Sequence, residues 1–166
     1  MKRLRQGRMM MDGSTVFQSP ADEDGRIYAV DLVPDCRYAA VLGETRFSAS
    51  MRNADRIIHR LDVGDYRHFL IDYRLAVPML NPDEYAQFFQ KLGPSLGRLE
   101  SLVYIYGDLT LMRAAHASRQ AQKLGVNALA IGDWTQVCVH LGRVLPDPIL
   151  NLPRESTEGA RIRSNL

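Results

Sequence analysis

Three short apolar blocks stand in the middle of the chain: His68–Tyr73 (HFLIDY), Ser101–Tyr106 (SLVYIY) and Val126–Ile131 (VNALAI). They lack the alternation of a half-wet strand and are too short to span a membrane. They therefore read as central strands buried on both sides. Helical periods separate them. After Asn81-Pro82-Asp83-Glu84, the residues Tyr85, Phe88, Phe89 and Leu92 fall on one helical face. Asn81 is the expected N-cap, Pro82 takes the first helical position, and Glu84 is placed to close a capping box. Gly93-Pro94 is the expected stop, with a further helical turn carrying Leu96 and Leu99. A second helix, Leu111–Leu124, has a stripe of Leu111, Ala114, Ala115, Ser118, Ala121 and Leu124, ended by Gly125. A third begins at Asp133, which with Gln136 resembles a capping box. It aligns Trp134, Val137, Cys138, Leu141, Val144 and Leu145 before Pro146 and Pro148 stop it.

Upstream, Arg26–Leu32 (RIYAVDL) and Arg37–Gly43 (RYAAVLG) form a predicted hairpin around Val33-Pro34-Asp35-Cys36. Ser48 or Ser50 caps a predicted helix running to Leu61, with Ala54, Ile57, Ile58 and Leu61 at helical spacing. The order β-β-α-β-α-β-α-β-α implies an α/β fold with a mixed, mostly parallel sheet of four to five strands and about four helices. Residues 25–150 make the expected domain. Residues 1–24 and 151–166 are polar and aperiodic, and are expected to be disordered or extended tails.

Composition changes this picture little, and charge changes it once. Of 21 basic residues, Lys2, Arg3, Arg5 and Arg8 crowd the first eight positions, which leaves 17 against 19 acidic residues elsewhere. A nucleic-acid footprint needs basic residues gathered on a folded face, so that class is set aside. Cys36 and Cys138 have no metal or redox spacing and are expected to be free thiols in a reducing cytoplasm. The start has no apolar signal-peptide core, and no stretch has transmembrane length. The expected location is cytoplasmic.

Candidate chemistry gathers at the strand ends. Asp72, Asp108 and Asp133 each stand at or just past the C-terminal end of a predicted parallel strand, the edge where open α/β sheets place ligands. If they converge, they could hold Mg²⁺ for a hydrolase or phosphoryl-transfer reaction. As simple caps, Asp108 and Asp133 need no metal, and Asp72 can pair with Arg74. His59, His68, His116 and His140 occur singly, and there is no nucleophile elbow or phosphate loop. The expectation is therefore no enzyme, no cofactor and no metal.

The stretch Leu75-Ala76-Val77-Pro78-Met79-Leu80 is wholly non-polar and reads as a loop. Such a loop folds onto the core, meets a partner, or lines a ligand cleft. The candidate binding face takes Tyr73, Arg74, Leu75, Val77, Met79 and Leu80 from this region, with Arg74 free to meet an anion. Tyr106, Asp108 and Trp134 complete it from the neighbouring strand ends.

Tyr38–Glu44 (YAAVLGE), His68–Tyr73, the Asn81–Glu84 helix start, Leu102–Gly107 (LVYIYG) and Val126–Asp133 (VNALAIGD) together resemble the STAS superfamily. Its best-known members are bacterial anti-sigma-factor antagonists, and a stand-alone bacterial branch is related to lipid-binding SEC14-like domains. The resemblance covers residues 26–145. It implies a domain that does no chemistry itself but binds a protein partner or a small apolar, lipid-like ligand. The junction Asp72–Asn81 lacks the Ser or Thr that phospho-switched members carry there; Tyr73 is the only local hydroxyl. A third reading is a structural subunit whose apolar loop completes a dimer.

Overall fold

The computed structural model describes residues 15–17 and 26–152. The elements are β1 (Thr15–Phe17), β2 (Arg26–Val33), β3 (Cys36–Thr45), α1 (Phe47–Val63), β4 (His68–Asp72), β5 (Ala76–Pro78), α2 (Pro82–Leu96), β6 (Ser101–Ile105), α3 (Leu111–Lys123), β7 (Ala128–Ile131) and α4 (Trp134–Leu141). A 3₁₀ turn, Pro148–Asn151, follows. The sheet order is β1-β2-β3-β4-β6-β7, with β5 beside β3. β1, β2 and β3 pair antiparallel, and every other pairing is parallel. The expected α/β class, the four helices and the mixed, mostly parallel sheet are thus observed, with β1 and β5 as additions.

Two cores lie on opposite faces of the sheet, because successive strand residues point to opposite sides. Ala39, Val41, Phe69, Ile71, Leu102 and Tyr104 meet α1, α2 and α3 on a thick face. Cys36, Tyr38, Leu70, Val103 and Ile105 meet Val137 and Leu141 of α4 and Leu152 on a thin face. With cover on both sides, β4 and β6 carry the unbroken apolar runs seen in the sequence.

Several boundaries moved for identifiable reasons. The Asn81–Glu84 capping box is present, with both reciprocal bonds at 2.9 Å. Yet α2 runs through Pro94, because Ser95 and Leu96 beyond it are buried and Ser95 Oγ donates to Asp62. No side chain caps α1: Arg46 occupies the N-cap, and Ser50 lies buried within the helix. The buried stripe of α3 is Ala114, Ala117, Ser118 and Ala121, so Leu111 and Leu124 at its ends are exposed. Val144 lies past the end of α4 and is 96% exposed. Thr15–Phe17, placed in the N-terminal tail by its polar neighbours, is a strand against β2. Leu152 is buried in the thin-face core rather than extended from it. Asn151 closes the 3₁₀ turn, and the other tail residues fall outside the described ones.

The expected loop Leu75–Leu80 is in large part strand β5. β4 pairs with β3 up to Ala40↔Asp72, and β5 resumes that pairing at Gly43↔Ala76. Three residues, Tyr73-Arg74-Leu75, therefore oppose two, Val41-Leu42. This is one strand interrupted by a single-residue bulge. The Gly43 amide donates to Leu75 O at 2.9 Å, and the Tyr73 amide to Ile105 O at 2.7 Å, so the bulge stays anchored on both sides.

Candidate functional site

The bulge determines where each candidate side chain goes. Asp72 ends β4 pointing to the thin face, where its side chain is fully buried. Tyr38 Oη donates to it at 2.6 Å, and Arg74 adds its backbone amide, Nε and Nη2. Arg74 then extends to Asp147, making two 2.7 Å bonds in a fork geometry. Its guanidinium also lies 5.9 Å from the centre of the Trp134 ring. Trp134 is held in turn by Nε1 donating to Leu145 O at 2.7 Å and by an edge contact with Tyr38.

The charges in this cluster reinforce one another. Burial works against the Arg74 cation, but hydrogen bonds and charge from Asp147 and Asp72 outweigh it and raise its pKa. Burial and the neighbouring Asp72 carboxylate hold Tyr38 as a phenol. Arg74 is thus engaged by two carboxylates. The expectation that it is free to meet an anion is corrected: its Nε, Nη1 and Nη2 already donate to Asp72 and Asp147.

The remaining candidates divide among three environments. Tyr73 turns to the thick face, buried against Tyr104 at 5.1 Å between ring centres, with burial first and Tyr85 second in raising its pKa. Leu80 is buried beside it, and Leu75 is half-buried against the thin-face core. Tyr106 packs on the thick side so closely over Gly132 that a Cβ there would lie 2.6 Å from its ring. Val77 and Met79 point outward, each 46% exposed, by the strand alternation of β5. Asp108 is exposed in the loop before α3, where Leu109 is 96% exposed and Met112 71%. Arg113 Nη1 donates to Leu80 O at 2.6 Å and ties this helix start to the end of β5. Val77, Met79, Leu109 and Met112 therefore share one end of the sheet.

The aspartates do separate jobs. Asp72 is consumed by Tyr38 and Arg74, and Asp133 caps α4 by accepting from the Thr135 amide at 3.0 Å. Asp108 is not the cap of α3; Thr110 holds that position. Among the described residues no group of three or more His, Cys, Asp or Glu is placed to hold a metal ion. Both cysteines are free. Burial, with Asp35 nearby, pushes the Cys36 thiol up to about 12, which leaves it protonated and unreactive. No helix among the described residues is long and apolar enough to cross a membrane.

Tyr38 and Asp147 were not among the candidates. Tyr38 looks like one more apolar position of β3, and Asp147 lies between two prolines that read as a helix stop. The only signal for Asp147 is its place before Pro148, where its carboxylate caps the 3₁₀ turn by accepting from the Ile149 amide.

These features define an α/β domain with a salt-bridged strand bulge at the carboxyl edge of its sheet and an apolar rim beside it. Its structure is similar to that of the anti-sigma-factor antagonist SpoIIAA in its unphosphorylated form, with a TM-score of 0.48 and 10% sequence identity over 71% of this chain and 98% of that one. A likeness this remote says nothing of what this chain binds. No protein-family model matches the sequence, and no curated protein does either.

Proposed function

We propose that the chain is a non-enzymatic regulatory domain that engages a protein partner through the apolar rim at the carboxyl edge of its sheet, in the cytoplasm. The carrying observation is the grouping of Val77, Met79, Leu109 and Met112, exposed on two segments that Arg113 ties together. Exposed apolar side chains gathered at one end of a sheet mark interaction surfaces. Met is adaptable enough to serve as a contact residue. The base beneath the rim is rigid, since the Asp72–Arg74–Asp147 clamp fixes the bulge from which β5 springs. Asp72 and Asp133 are committed to structural bonds, which favours binding over metal-assisted hydrolysis.

Val144 provides an internal control. It is as exposed as Leu109 but adjoins Arg143, which pairs with Asp35 in the β2–β3 turn at the opposite end of the sheet. A photo-crosslinking amino acid placed at Leu109 or Met79 in the native host is expected to yield one discrete protein adduct, and the same group at Val144 none. The adduct's mass separates a different partner from a second copy of the chain. Equal labelling at both ends, or none at Leu109 and Met79, defeats the reading.

A further inference from the structure

Half of the apolar rim belongs to the start of α3, and the helix then carries its outer face away from it. Leu109 and Met112 stand at the carboxyl edge, and α3 runs from there toward the opposite edge, where β7 begins. Ala114, Ala117, Ser118 and Ala121 are turned to the core. At about 3.6 residues per turn, Met112, Arg119 and Lys123 therefore fall together on the outermost face. With a rise of 1.5 Å per residue, Arg119 lies about 10 Å and Lys123 about 16 Å along the axis from Met112.

This face is positive and unanswered. Cations on other elements meet acids: Arg67 meets Glu100, Arg98 meets Asp62, and Lys91 meets Asp55. α3 contains no acidic residue. Arg119 and Lys123 are both exposed, and among the described residues no carboxylate pairs with either. His116, one turn on from Met112, rests its ring against Tyr85 at 5.3 Å between centres. Burial first, then the charges of Arg119, Lys123 and Arg113, lower its pKa, and no carboxylate offsets them. The outer face of α3 is thus a cationic stripe continuous with an apolar end.

That division selects among anionic partners. A membrane surface or a nucleic acid presents charge as a broad field, and sites for either gather more cations than this. Here the exposed carboxylates of Asp83, in the first turn of α2, and Asp108, before α3, stand at the apolar end, and the positive charge lies beyond it. A surface divided in this way suits a segment divided likewise. We infer that the partner engaged by the rim docks along α3 through an acidic amphipathic helix, its apolar residues on Leu109 and Met112 and its carboxylates opposite Arg119 and Lys123. This rests on the rim being a partner surface. In either direction of the docked helix, the axial spacing sets its acids about seven and eleven residues from its apolar anchor. Charges arranged so steer the encounter and reject wrong partners.

The test repeats the cross-linking from Leu109 in the full chain, with Arg119→Glu and Lys123→Glu introduced together. Both positions are exposed, so the melting temperature should change little. Arg119→Gln with Lys123→Gln removes the charge without reversing it, should the reversed variant not fold. Adduct yield is expected to fall at least tenfold on reversal. Sequencing the cross-linked peptide should place Asp or Glu about seven to eleven residues from the attachment point. An unchanged yield in a folded variant, or a cross-linked segment without acids in that register, overturns the inference and leaves the rim standing as a partner surface. A lipid or nucleic-acid adduct overturns it as well. If the parent chain gives no adduct from Leu109 or Met79, the partner surface itself has failed, and docking along α3 fails with it.

Discussion

Arg74 shows how a residue chosen for its charge can prove to be spent on structure. A cation at the end of a central strand, with no acid next to it in sequence except Asp72, reads as a ligand-binding group. Folded, it is 18% exposed in its side chain and joins a fully buried carboxylate to Asp147, 73 positions away. Two carboxylates around one guanidinium already compensate its charge. Removing a single partner from a buried ion pair costs more than the pair contributes, because the other charge stays buried. Arg74→Met is therefore expected to destabilise the fold by about 3 kcal/mol, since Asp72 would keep only Tyr38 as a side-chain donor. Urea unfolding measures it. A loss under about 1 kcal/mol would mean that the clamp opens readily in solution.

At the scale of elements, legibility followed burial. β4 and β6 were readable because cover on both faces demands unbroken apolar runs, and α2 because its start chemistry is local and reciprocal. The β4–β5 bulge was not readable. Every residue of Leu75–Leu80 is non-polar, which conceals the alternation that puts Ala76 and Leu80 inside and Val77 and Met79 outside. Nor can a sequence show that Ala29 and Ala39 are cross-strand neighbours. The rim residues Val77 and Met79 were legible as apolar, whereas Asp147 was masked by its prolines. Gly43 marks the bulge from the other strand. It has φ +73°, and a Cβ there would meet nothing within 4 Å. The cost of Gly43→Ala is therefore backbone strain alone, about 1 kcal/mol. A denaturation midpoint equal to that of the parent protein would show that the strand rearranges to relieve it.

Across the whole molecule, the thin face is closed by few elements, and long-range ion pairs hold them in place. Arg74 fixes Asp147 at the carboxyl edge. At the opposite edge Arg143, just past α4, donates to both oxygens of Asp35 in the β2–β3 turn, at 2.5 and 2.6 Å across 108 positions of chain. That hydrogen bonding, with the Arg143 charge, holds the Asp35 carboxyl at about 2, below its ordinary 3.8. A depressed carboxylate pKa stabilises the fold above the unfolded-state value and loses its contribution as pH falls through the folded-state value. The Asp35 contribution is thus complete above about pH 4 and fades between there and about pH 2. Arg143→Ala abolishes the depression, so its melting temperature should lie below the parent's at pH 5. The difference should narrow on acidification toward pH 2. Asp31 is also depressed, its burial outweighed by hydrogen bonds from Arg37 and Tyr66, but it titrates alike in both proteins and cancels in the difference. Thermal scans of the two proteins at successive pH values decide the matter. If the curves stay parallel down to pH 2, the attachment of α4 to the sheet rests on Val137 and Leu141 in the thin-face core, and the Asp35–Arg143 pair adds nothing to it.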